Sequence, residues 1–126
     1  MRIFLAEGNP DVRLALLFLL DQEQGMEVVG VAIECEGLLA QIEATKPEVV
    51  LLDWDLPGQP GRDLVAALRA SGACPEVVVC GVRSEAEKAA MEAGAHAFVH
   101  KDAPPDTLVP ILRRIAAKHV GAEASA

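Results

Sequence analysis

Val49-Val50-Leu51-Leu52-Asp53, followed by Trp54-Asp55-Leu56 and then Pro57-Gly58, is the stretch on which the fold turns. Four consecutive branched apolar residues ending at a charge read as a strand covered on both faces, the pattern of a parallel sheet between helix layers. Two other segments repeat the arrangement. Ile3-Phe4-Leu5-Ala6 ends in Glu7, and Ala97-Phe98-Val99 is followed by His100 and Lys101. Open α/β sheets build their sites in the crevice outside the carboxyl ends of the strands. Glu7, Asp53 and Lys101 are therefore candidates for one shared site. Gly8 and Gly81 stand where such a site is expected to need side-chain oxygens.

Working outward, strand and helix signals alternate along the chain. Arg2–Ala6 reads as a first strand, and Asn9-Pro10 opens a helix running to about Gln22, since Asn caps free N–H groups and Pro suits the first turn. Its stripe is Val12, Leu16, Leu19 and Leu20, widened by Leu17, and Gly25 ends it. Val28–Ala32 is a second strand, residues 35–45 a weaker helix stopped by Pro47, and Val49–Asp53 the third strand. Gly61–Ala70 reads as the third helix and Val77–Cys80 as the fourth strand. Ser84 and Glu87 have capping-box spacing for a fourth helix that ends before Gly94. Ala97–Val99 is a short fifth strand, and Leu108, Ile111, Leu112 and Ile115 stripe a fifth helix. Five strand–helix pairs predict a doubly wound, five-stranded parallel α/β sheet with right-handed crossovers. Residues 1–120 form one domain on this reading, and 121–126 a tail or the start of a linker.

The 126 residues suit a single domain with a real core. A formal net charge of -8 argues against direct nucleic-acid contact by the domain, because phosphate neutralisation needs clustered Lys and Arg. Cys35, Cys74 and Cys80 have no metal spacing and are odd in number, against a disulfide scaffold. The longest apolar run, Leu14–Leu20, is too short to span a bilayer, and the N-terminus lacks a signal-peptide pattern, so a cytoplasmic location is expected.

Carboxylates at strand ends suggest a divalent cation. Magnesium takes six oxygens in near-octahedral geometry and is commonly held by one or two carboxylates with water and a phosphoryl group. Glu7, Asp53 and the backbone carbonyl of Asp55 are the candidate ligands, with Lys101 set to pair with Asp53 or a phosphoryl oxygen. The plainer reading leaves Glu7 and Asp55 exposed at strand ends. No Ser-His-Asp set, P-loop or nucleotide fingerprint is present, which disfavours an autonomous hydrolase or phosphotransferase. Gly58-Gln59-Pro60-Gly61 is a proline loop, and His96, His100 and His119 lack metal-ligand spacing. A flavodoxin-like small-cofactor protein also fits the alternation, with Trp54 the aromatic ring near the site.

Three blocks carry a family resemblance: Pro47-Glu48-Val49-Val50-Leu51-Leu52-Asp53, then Leu56-Pro57-Gly58, and Gly94-Ala95-His96-Ala97-Phe98-Val99-His100-Lys101-Asp102-Ala103. Over nearly its whole length the chain resembles the receiver domain of bacterial response regulators, especially receivers whose output domain is a helix-turn-helix DNA binder. The resemblance implies a flavodoxin-like (CheY-like) three-layer sandwich with strand order 2-1-3-4-5. It puts Asp53 at the phosphoryl-accepting position, Glu7 and Gly8 at the acidic pair that organises Mg²⁺, and Gly81 at the Thr or Ser that senses the phosphoryl group. Phe98 takes the place of the aromatic switch and Lys101 that of the characteristic lysine. A partner histidine kinase supplies the phosphoryl group in such domains, while the receiver carries much of the transfer chemistry.

Two departures qualify the resemblance. Gly8 offers no carboxylate and Gly81 no hydroxyl, so both metal binding and coupling from site to surface are expected to be weak. The reading that follows is an atypical receiver acting through protein contacts, with phosphorylation weak or absent and no independent enzyme activity. A homodimer through the face of helix four, strand five and helix five is the expected assembly. The alternative is a conventional Mg²⁺-dependent phosphoacceptor using Asp53.

Overall fold

A computed structural model describes residues 1–125, with side chains through Lys118. Its elements, in chain order, are β1 (Arg2–Ala6), α1 (Pro10–Asp21), β2 (Glu27–Ala32), α2 (Leu38–Thr45) and β3 (Val49–Asp53). They continue with α3 (Gly61–Ala70), β4 (Glu76–Gly81), α4 (Glu85–Ala93), β5 (Ala97–His100), a 3₁₀ turn (Pro105–Thr107) and α5 (Leu108–Ser125). The strands form one parallel sheet in the order β2-β1-β3-β4-β5. The expected flavodoxin-like architecture is the one observed.

Side chains alternate across each strand, so odd and even positions feed different cores. Phe4, Val50, Leu52, Val77 and Val79 pack with Leu38 and Ile42 of α2, Leu64, Val65 and Leu68 of α3, and Ala90 of α4. Ile3, Leu5, Val49, Leu51 and Val78 pack on the opposite face with Leu20 of α1 and Leu108, Leu112 and Ile115 of α5. Val49 to Leu52 are all buried, each contributing about 1.5–3 kcal/mol by removal from water. Two helix layers on β3 thus explain its unbroken apolar run. They also fix its end, and with it Asp53, at the middle of the sheet.

Local signals hold with three exceptions. Asn9 caps α1, its side chain accepting from the amides of Asp11 and Val12, with Pro10 in the first turn. Ser84 does not form the expected capping box. Its own backbone is helical (φ -60°, ψ -32°) rather than extended, so the side chain makes no cap bond. The second helix begins at Leu38 instead of residue 35, because Gly37 is left-handed at φ 74° and cannot lie within a helix. The tail expected from Gly121 is helical up to Ser125, as its Ala and Glu residues favour, a lone glycine costing only about 1 kcal/mol. Ala126 and the side chain of His119 lie outside the described residues.

Among the described residues, no helix is long and apolar enough to cross a membrane.

Candidate functional site

Three parallel strands, β1, β3 and β5, deliver Glu7, Asp53 and Lys101 to one crevice. Lys101 is anchored first by its backbone, whose amide donates to the Gly81 carbonyl at 2.9 Å. From there its ammonium donates to Glu7 Oε2 at 2.8 Å and to Asp53 Oδ1 at 2.9 Å. The lysine bridges both carboxylates. Glu7 is 1% exposed and Asp53 4%, so the triad is a buried charge cluster and not a solvated rim. The plainer reading of Glu7 as an exposed strand end is thereby corrected, since the β1–α1 turn folds its side chain inward.

Backbone amides add further hydrogen bonds to both carboxylates. The amide of Asp55 donates to Asp53 Oδ1 at 2.9 Å, and that of Gly8 donates to Asp53 Oδ2 at 3.2 Å. The Asn9 amide donates to Glu7 Oε2 at 3.1 Å, while Arg13 donates to the Glu7 carbonyl at 3.0 Å. Asp55 itself is exposed, contributing its amide to Asp53. The amides of Gly8, Asn9 and Asp55 have no side-chain signature, so sequence reasoning missed them.

These partners divide the two acids. Burial raises the Glu7 carboxyl above its ordinary value, and neighbouring Asp53 adds to the rise despite the pull of Lys101. Burial alone would raise Asp53 as well, but Lys101, Glu7 and the amides of Asp55 and Gly8 outweigh it and hold Asp53 below its usual range. Asp53 therefore keeps its charge, and Glu7 is the acid that takes up a proton first. Burial would lower Lys101, but its bonds to Glu7 and Asp53 raise it and keep the ammonium protonated. Beside them, Cys80 is pushed up to about 12, chiefly by burial and then by Glu7, so it stays a neutral thiol. It is the small buried apolar residue expected from its strand.

The two glycines open space that other residues occupy. A Cβ on Gly8 would lie 3.0 Å from Pro57 Cδ and 3.6 Å from Asp53 Oδ2, so Pro57 walls the site where a side chain at 8 would begin. A Cβ on Gly81 would lie 2.8 Å from Cζ of the Phe98 ring. The structure thus brings together Glu7, Gly8, Asp53 and Lys101, with Gly81 and Phe98 paired alongside.

The matching family model is the response regulator receiver domain, aligned over residues 3–113. The chain belongs to this family. Among curated relatives, the receiver is 31% identical over 120 residues to a nitrate/nitrite response regulator protein homolog of Haemophilus influenzae, covering 92% of this chain and 57% of that protein. It is 36% identical over 104 residues to protein-glutamate methylesterase/protein-glutamine glutaminase 5 of Myxococcus xanthus, covering 80% of this chain and 30% of that protein. The chain therefore spans about a third to somewhat over half of these two relatives. Among solved structures, the receiver of the response regulator NarL from Mycobacterium tuberculosis superposes with a TM-score of 0.83 at 26% identity, covering 92% of this chain and 95% of that one. A LuxR-family two-component response regulator from Aurantimonas has the same TM-score at 28% identity, with coverage of 92% and 85%.

Receiver domains generally bind Mg²⁺ at the phosphorylation site. The donor set of this receiver is one side-chain carboxylate short at position 8, leaving the Glu7 and Asp53 carboxylates and the Asp55 carbonyl as the groups that would hold the ion. Gly8 supplies no side-chain oxygen, and an ammonium lies within hydrogen-bond distance of both carboxylates. Among the described residues no cluster of three or more His, Cys, Asp or Glu groups is arranged to hold a metal.

Proposed function

We propose that this receiver signals through protein contacts, with phosphorylation of Asp53 weak or absent. One observation carries the reading. Lys101 spans Glu7 and Asp53 in a site where Gly8 leaves no third carboxylate. In this reading Asp53 keeps the phosphoacceptor position, but its carboxylate serves as the buried partner of Lys101. Glu7, Asp53 and the Asp55 carbonyl are what remains of a metal set weakened at Gly8. Gly81 and Phe98 stand at the switch positions without a hydroxyl to respond. A cation facing a phosphoryl group contributes several kcal/mol of charge stabilisation, and its loss slows transfer by orders of magnitude.

The partners are a histidine kinase or another signalling protein in the cytoplasm, and a second copy through the α4–β5–α5 face. Charges on those elements are engaged within the chain. Lys88 lies 3.9 Å from Glu92, and Arg113 pairs with Glu23 at 2.9 Å. Direct nucleic-acid contact is left to an output domain, as the acidic net charge of -8 favours.

Incubation with acetyl phosphate and Mg²⁺, read by intact mass beside an Asp53→Asn control, tests the reading. The expected spectrum lacks a phosphoryl adduct under conditions that label an ordinary receiver. An adduct in the natural chain that vanishes in the control overturns it. A second check uses Trp54, the sole tryptophan and the next residue after Asp53. Its fluorescence is expected to stay flat through millimolar Mg²⁺, and saturable quenching counts against the proposal.

A further inference from the structure

Gly81 ends β4, and Phe98 lies on β5, where the register pairs Val79 with Phe98 and Gly81 with His100. The Phe98 ring reaches along the sheet toward the strand ends. A Cβ built on Gly81 would lie 2.8 Å from its Cζ, 2.9 Å from its Cε2 and 3.4 Å from Trp54 Cβ. Contacts below 3.0 Å are not tolerated by real Cβ atoms, so the ring tip fills the space of the side chain that position 81 lacks. Behind it, Phe98 packs against the core cluster that includes Val79, Ala90 and Ala95.

We propose that Phe98 is a fixed wedge seated on the Gly81 backbone, which sets the α4–β5 surface in one arrangement whatever the state of Asp53. The proposal rests on the reading above that this receiver signals through that face, and it assigns the regulation. Two features support the fixed pose. Moving the ring outward would uncover apolar surface at both Gly81 and the cluster, leaving a gap that no side chain at 81 refills. Gly81 also has no polar side-chain atom through which a change at Asp53 could act on the ring.

The wedge has a route to the surface. Phe98 and His100 meet edge to face, with centroids 5.1 Å apart and planes at 83°. His100 Nε2 lies 3.7 Å from Glu87 Oε1 on α4. The ring thus supports the side chain that links β5 to α4. Phe98 is a positioning residue here, and Gly81 is what makes its position available. A methyl at 81 forces the ring tip to shift, and cheaply, because what it strikes is the far end of a rotatable side chain.

The chain has three phenylalanines: Phe4 fully buried, Phe18 70% exposed, and Phe98 between them. Ring-labelled phenylalanine NMR therefore resolves the wedge against two internal references. The natural chain is expected to give nuclear Overhauser contacts from the Phe98 ring to the Gly81 α-protons. Those contacts persist in Asp53→Asn and during incubation with acetyl phosphate and Mg²⁺. In Gly81→Ala they are lost, the ring becomes more accessible to a soluble paramagnetic agent, and His100 shifts while Phe4 does not.

Absence of the contacts in the natural chain overturns the wedge, as does their loss in Asp53→Asn or on formation of an adduct. Retention of an inward ring in a folded Gly81→Ala overturns the role of Gly81. If that variant does not fold, the natural chain and Asp53→Asn still decide the matter. An adduct with unchanged contacts sinks the weak-phosphorylation reading and supports the wedge. No adduct, with contacts missing, sinks the wedge alone.

Discussion

Lys101→Met is expected to lose about 3–5 kcal/mol of folding stability at neutral pH, the range for breaking a buried ion pair from one side. Glu7 and Asp53, 1% and 4% exposed, would then face each other with no cation between them. Because small domains have only about 5–15 kcal/mol of total stability, the variant approaches the unfolding threshold. Urea unfolding followed through Trp54 measures the loss. A second substitution, Glu7→Gln, should recover much of it by removing one of the stranded charges. A loss below about 1 kcal/mol would mean that water, not Lys101, solvates the pair, as at exposed ion pairs.

The pH dependence of the natural chain has opposite contributions from the two acids. Asp53 is lowered in the fold, so its contribution is present above its ordinary value of 3.8 and fades as pH falls through the folded value. Glu7 is raised, so its contribution is full below 4.5 and is lost as pH rises through its folded value. Lys101 is raised, and its contribution is present below 10.5 and lost as pH rises through the folded value. Glu7→Gln should therefore abolish the decline on the mildly acidic side. Because Glu7 helps to lower Asp53 and to raise Lys101, the substitution should also shrink the strongly acidic and alkaline losses to what the Asp53–Lys101 pair sustains. Urea midpoints across pH give the comparison.

Gly8→Asp is expected to accelerate Mg²⁺-dependent labelling of Asp53 by acetyl phosphate about 100-fold or more. The estimate takes several kcal/mol of cation stabilisation at about 1.4 kcal/mol per tenfold. The substitution adds the carboxylate that the natural donor set lacks. Two effects oppose it when Mg²⁺ is absent. The new Cβ lies 3.0 Å from Pro57 Cδ, so the β3–α3 loop must move back by a few tenths of an ångström. Its charge also approaches Asp53 Oδ2, 3.6 Å from that Cβ, and like charges so close oppose ionisation. Without Mg²⁺ the variant should thus be about 1–3 kcal/mol less stable, as for overpacked sites. Millimolar Mg²⁺ should restore that stability and quench Trp54. An unchanged labelling rate with no fluorescence response would show that Gly8 is not what limits the natural site.

Much of the fold was legible because its signals are local. The apolar run 49–52 declares a strand covered on both sides, and Asn9-Pro10 declares a helix start through one side chain and its nearest amides. Ser84 misled because a capping box needs an extended backbone as well as the right spacing, and Arg83-Ser84 turns helically before α4. Leu14 and Phe18 show the same limit from the other side. Leu14 through Leu20 is continuously apolar, yet these two remain 64% and 70% exposed, since the run wraps the helix and only one side meets the sheet.

What the sequence by itself determined was the parallel α/β sheet, the charged residues at the ends of β1 and β3 and just beyond β5, and the missing oxygens at positions 8 and 81. Tertiary structure decided what those absences became. Pro57 lies against Gly8, Phe98 rests on Gly81, and Lys101 joins Glu7 to Asp53. Each pairing is between residues far apart in the chain, and close packing in three dimensions, not periodicity along one, chooses which atoms fill an empty volume. An aspartate at a strand end marks the receiver; the atoms gathered around it by folding make Asp53 a buried ion-pair partner.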